Sequence, residues 1–100
     1  MAVGSIVPSF DTAAASVVAA SPAEVAIPDN SSGGRPKFVM ITTDSGTVIT
    51  FKVGMAGVDV GTEPHGYFRD NAPLILNVFG QEAIDFAGSG NVIVTPLANG

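Results

Sequence analysis

Between Thr47 and Val53 the residues alternate. Thr47, Ile49, Phe51 and Val53 fall on one side of an extended chain, and Val48, Thr50 and Lys52 on the other. Period two with a more polar second face marks a half-buried antiparallel strand, and it constrains this chain more than any other feature. The preceding run, Phe38 to Thr43, is also β-rich, and Asp44-Ser45-Gly46 separates the two. Three residues ending in glycine suit a type I turn followed by a left-handed residue, which only glycine adopts without steric cost. The pattern predicts a β-hairpin.

A second hairpin is expected at the end of the chain, where Ala83–Ala87 and Asn91–Thr95 flank Gly88-Ser89-Gly90. Ile84 and Phe86 share one face there, and Pro96 ends the strand by removing a ladder donor. Leu74–Phe79 is an apolar run broken only by Asn77, as in a strand covered on both faces. A structureless stretch from Gly54 to Pro73 would be unusual in a compact domain, so short strands are expected at Val58–Val60 and Tyr67–Phe68. Nothing past residue 33 has a 3.6-residue period. Residues 1–33 are rich in Ala, Ser and Val. Within them Val17-Val18 and Glu24–Ile27 are candidate strands, with a short helix over Thr12–Ala20, N-capped by Thr12, as the competing assignment. The expected fold is all-β: an antiparallel β-sandwich or jelly-roll-like barrel of seven or eight short strands. Residues 1–14 are expected to form an extended N-terminal arm, and residues 15–100 one domain. The expected core comprises Phe38, Met40, Ile49, Phe51, Leu74, Leu76, Ile84, Phe86, Val92 and Val94.

Of 100 residues only 13% are charged, against roughly 25% in an average domain. So few charges leave a partly apolar surface, of the kind usually covered by a partner. The net charge is −5, and the cations are Arg35, Lys37, Lys52 and Arg69. Four dispersed cations do not make a nucleic-acid footprint, and anionic membranes are disfavoured for the same reason. Ala13–Ala20 is apolar, but no Lys or Arg precedes it and it is too short to span a bilayer, so neither export nor insertion is expected.

Candidate chemistry is sparse. His65 is the only histidine and cysteine is absent, so a His/Cys zinc site cannot be assembled within one chain. Ser89 lacks the G-x-S-x-G elbow of a nucleophile. His65, Arg69 and Asp70 suggest at most a small polar cluster, more simply an Arg–Asp pair stabilising a loop. The glycines of Gly54–Gly61 are not followed by the Lys-Ser or Lys-Thr of a phosphate loop. Asp59 and Glu63 are the nearest approach to paired acids, and no Asp-x-Asp-x-Asp calcium loop exists. No catalytic residue, metal ligand or cofactor is expected.

Arg35-Pro36-Lys37-Phe38-Val39-Met40-Ile41, the turn Asp44-Ser45-Gly46, Lys52-Val53-Gly54 and the closing Ile84–Leu97 stretch together resemble small virion proteins of tailed bacteriophages. The resemblance covers about two-thirds of the chain and is one of pattern, with no catalytic motif behind it. It implies a capsid decoration (cement) protein that is assembled in the host cytoplasm, sits on the capsid exterior and binds the major capsid protein. It also implies a homo-oligomer, a trimer before a dimer. Val7, Pro8 and Phe10 of the arm would then touch the partner, as could His65, Tyr67, Phe68 and Arg69 in a loop. A carbohydrate- or small-ligand-binding β-module that uses Tyr67 and Phe68 is the alternative from another class; a tail or head-completion protein is the alternative within the virion.

Overall fold

The computed structural model describes residues 9–10, 17–29, 31, 33–61 and 63–98. Among them there is no helix, and seven strands make one curled antiparallel sheet, a half-barrel. The strands are β1 (Ser9–Phe10), β2 (Val17–Ala26), β3 (Phe38–Thr43), β4 (Ile49–Gly54), β5 (Gly66–Phe68), β6 (Leu74–Asn77) and β7 (Ala83–Ala98). The all-β expectation holds. Residues 17–20 are strand, not the end of a helix, and 11–16 lie outside the described residues.

The last strand organises the rest. β7 runs for 16 residues through the segment expected to turn. Straight, it would extend about 53 Å at the usual rise of a strand, yet the longest dimension of the molecule is 41 Å. It therefore bends, and the bend falls at Gly88 and Gly90, with φ of +132° and +142°. Few side chains tolerate such angles, so the two glycines are needed for a kink within a strand, not for a reversal.

The expected first hairpin is corrected in the same way. Val39–Thr43 of β3 lies opposite Pro96–Val92, and Thr50–Gly54 of β4 lies opposite Ala87–Ala83. Both strands run antiparallel to β7 along successive segments, so the chain does not reverse at Asp44-Ser45-Gly46. It rounds a corner and continues, and Gly46 is not among the glycines with positive φ. β5 and β6 do the same against β4 and β3, with residues 69–73 as their corner. On the far side β2 follows β7 with a register shift between Ser21 and Ala23. There Pro22, which has no N–H to offer a ladder, stands opposite the β7 bend.

Four long runs thus bend at one level, giving the sheet two halves. One holds the second part of β2, the first part of β7, β4 and β5. The other holds the first part of β2, the second part of β7, β3 and β6. The bend interrupts the ladders, so its backbone groups need other partners. Thr43 Oγ1 donates to the carbonyl of Asn91 at 2.6 Å and accepts from the amide of Ser45 at 3.0 Å. The amide of Thr47 donates to Ser45 Oγ at 3.1 Å. Asp44 accepts from both the amide and the side chain of Asn91, at 2.8 and 3.0 Å. These hydrogen bonds hold the carboxyl of Asp44 below the ordinary aspartate value of 3.8.

The concave face carries the core. Val39, Ile41, Ile49, Phe51, Phe68, Ile84, Phe86, Val92 and Val94 point inward by strand alternation and are buried. Phe68 stands edge-on to both Phe51 and Phe86, with ring centroids 6.2 and 6.1 Å apart. Phe38 and Met40 alternate with Val39 and Ile41, so they lie on the convex face and are half-buried, not in the expected core. β6 is an edge strand ending at Asn77, and its alternating exposure replaces the expected cover on both faces. Val58–Val60 is loop, although Val60 is buried.

Candidate functional site

The convex faces of the two halves differ in chemistry, and the difference begins in the sequence. In the half built on β4, outward positions of β2, β7 and β4 bring Glu24, Asp85 and Lys52 into one cross-strand row. The loop after β4 folds onto these charges. The amide of Gly57 donates to Glu24 Oε1 at 3.0 Å, that of Val60 to Asp85 Oδ2 at 2.7 Å, and that of Ala56 to Glu82 Oε1 at 3.0 Å. Three carboxylates, Glu24 on β2, Glu82 just before β7 and Asp85 on it, thereby satisfy a loop that covers this face, and Val60 of that loop is buried. Arg35 adds an ion pair to Glu82 at 3.9 Å, with both side chains substantially exposed.

The half built on β3 has no such cover among the described residues. Its outward positions are Val18 and Ala20 on β2, Phe38, Met40 and Thr42 on β3, Ile75 and Asn77 on β6, and Asn91, Ile93, Thr95 and Leu97 on β7, of which Leu97 is buried. None is charged. Val18, Ile93 and Thr42 form one row across the sheet, and Thr95, Met40 and Ile75 form another. Val18 is 65% exposed, Ile75 55%, and Phe79, just past β6, 70%. Lys37, Phe38, Asn77 and Phe79 line a depression of about 260 Å³ at its margin. Apolar residues exposed together on a rigid sheet are the mark of a contact surface, whereas the same residues scattered singly are ordinary.

The expected contact residues do not converge. His65, Tyr67, Phe68 and Arg69 lie on and around β5, where alternation sends neighbours to opposite faces. Tyr67 is 68% exposed on the convex face opposite Thr50. Phe68 is 2% exposed and belongs to the core, which corrects its place among the exposed contacts. Arg69 donates to the carbonyl of Gly46 at 2.7 Å and the amide of Asp70 to the carbonyl of Ser45 at 3.2 Å. Both hold the corner, in place of the expected Arg–Asp pair. His65 is exposed, and its Nδ1 accepts from the amide of Val53 at 3.1 Å. Phe10 is paired through its backbone with Leu97, and Ser9 with Ala98, so part of the expected arm is sheet. Val7 and Pro8 lie outside the described residues. Among the described residues no three of His, Cys, Asp and Glu are grouped to hold a metal.

Sequence reasoning missed Val18, Ile75, Ile93 and Phe79 as surface residues. A partial signal was available: Phe38-Val39-Met40-Ile41 is apolar at both parities, so alternation leaves open which face enters the core and which a partner covers. No protein-family model, curated protein or solved structure matches this chain.

Proposed function

We propose that this chain is a non-catalytic structural protein that docks on a larger protein surface through the convex face of its β3 half. The observation that carries this reading is the segregation of charge: carboxylates and a covering loop occupy one convex face, and among the described residues the other has no charged outward position and no covering loop. Desolvating Val18, Met40, Ile75 and Phe79 against a partner is favourable, and no charge must be stripped of water to do it. In the terms of the phage resemblance, the partner is the major capsid protein and the role is that of a decoration protein on the capsid exterior, present as a homotrimer. Facing halves of the curl would then act as a small jelly-roll-like sandwich laid on the shell. The two glycine segments behind that resemblance are corners, not hairpin turns, so the reading now rests on the surface chemistry. A glycan- or ligand-binding module built on Tyr67 and Phe68 has lost half its platform, since Phe68 is core.

The test is rebinding to particles made without this chain. Val18→Lys and Ile75→Lys should abolish saturable rebinding while leaving the fold intact. Rebinding at wild-type affinity by the double variant would refute the assignment of the face.

A further inference from the structure

We infer a second, independent site on the concave side: a cleft that takes a small apolar group bearing a carboxylate. The cleft has a volume of about 360 Å³ and is lined by Phe51, Val53, His65, Leu76, Asn77 and Gln81. Phe51 and Val53 come from β4 and Leu76 from β6, so its floor lies where the two halves of the sheet face one another.

Hydrogen bonds inside the protein decide what the polar rim can offer. His65 Nδ1 accepts the amide of Val53 at 3.1 Å, so the neutral ring carries its proton on Nε2, which is a donor. Asn77 Oδ1 accepts the amide of Phe79 at 3.0 Å, so its amide nitrogen supplies the hydrogen-bonding capacity that remains. Gln81 is half-buried, and its carboxamide makes no hydrogen bond among the described residues. Among the described residues no carboxylate lines the cleft.

With His65 and Asn77 committed as donors and Gln81 free to turn its amide nitrogen inward, the rim above an apolar floor matches a group that only accepts, and an ionised carboxylate is the acceptor that gains most from neutral donors. The volume lies at the small end of ligand sites, which favours one compact residue or acid over an extended chain. The same chemistry can come from a free apolar acid or from the C-terminal residue of a protein, and the experiment separates them. Asn77 is shared with the margin of the docking face, but neither Val18 nor Ile75, which carry the docking test, lines the cleft, so the two sites can fail separately.

The test is a two-dimensional amide NMR titration of the full chain with N-acetyl-leucine, with its amide, and with a pentapeptide ending in leucine. Saturable shifts are expected at His65, Leu76, Asn77 and Gln81 with N-acetyl-leucine, and about tenfold weaker binding of the amide, as expected for loss of charge-assisted hydrogen bonds. A pentapeptide that binds more tightly than the free acid would identify a chain end as the source; equal or weaker binding would identify a free acid. Gln81→Leu, which removes no hydrogen bond of the fold, should weaken binding several-fold and leave the remaining spectrum unchanged. Val18→Lys with Ile75→Lys should bind the acid normally. Absence of saturable shifts at millimolar acid, equal binding of acid and amide, or unchanged binding by Gln81→Leu would each overturn the inference.

Discussion

Gly88→Ala should be among the most damaging substitutions of one small residue in this protein. A Cβ at Gly88 would lie 2.7 Å from Ile49 Cδ1, 3.0 Å from the carbonyl oxygen of Val48 and 3.3 Å from Ile49 Cα. The side chain of Ile49 can give way, but the Val48 carbonyl is backbone at the corner. The φ of +132° adds a second cost. Backbone strain of this kind costs about 1–3 kcal/mol, and overpacking a tight site about 1–3 kcal/mol more. A total of about 3 kcal/mol lowers the melting temperature of a 100-residue domain by at least about 12 °C. Urea unfolding followed by far-ultraviolet circular dichroism measures it. Gly46→Ala is the control: nothing lies within 4 Å of the added Cβ and φ is not positive. That change should be neutral or stabilise by about 0.4–1 kcal/mol, through the unfolded state. If both segments were hairpin turns, Gly46→Ala would be the costly change, and Gly88→Asn would be mild because asparagine tolerates the left-handed region. A Gly88→Ala variant within about 0.5 kcal/mol of the parent would refute the bent-strand account.

Other consequences are open to direct measurement. Phe86→Ala removes a fully buried ring that touches Phe68 and should cost about 3–5 kcal/mol in denaturant unfolding. Val18→Lys and Ile75→Lys place charge on exposed positions and should each change stability by less than about 0.5 kcal/mol. Asp44 has a folded pKa below its unfolded value, so its carboxylate contributes stability above the unfolded pKa, and this is lost as pH falls through the folded one. Stability measured from pH 5 to pH 2 should therefore fall less steeply in Asp44→Asn than in the parent. In Glu24→Gln with Asp85→Asn, weaker acceptors face the amides of Gly57 and Val60, and both amides should exchange with deuterium faster while those of β7 do not.

Much of this fold was legible where alternation is clean. Thr47–Val53 and Ala83–Ala87 announced their buried faces, because one parity is apolar and the other is not. The failures came from glycine. Asp44-Ser45-Gly46 and Gly88-Ser89-Gly90 have hairpin composition, but a turn and a strand corner both need small residues and local side-chain acceptors. Which one forms depends on the partner strand, and β7 begins at Ala83, 29 residues after β4 ends at Gly54. The docking face was hidden for a related reason. Phe38 and Met40 look like core by hydrophobicity; alternation sets them opposite Val39 and Ile41, and only pairing with β6 and β7 decides which side is the core. The cleft left less trace, since its polarity depends on two backbone amides that occupy His65 and Asn77.

If the proposed function holds, electron microscopy of phage particles incubated with this protein tests its docking most directly. The account predicts ordered density for the curled sheet on the shell exterior, at fixed sites, with Val18, Met40, Ile75 and Phe79 against the capsid protein and the Gly57 loop turned to solvent. Density only at the tail would keep the docking face but contradict the decoration role. Density on the shell with Val18 and Ile75 facing solvent would contradict the docking account itself.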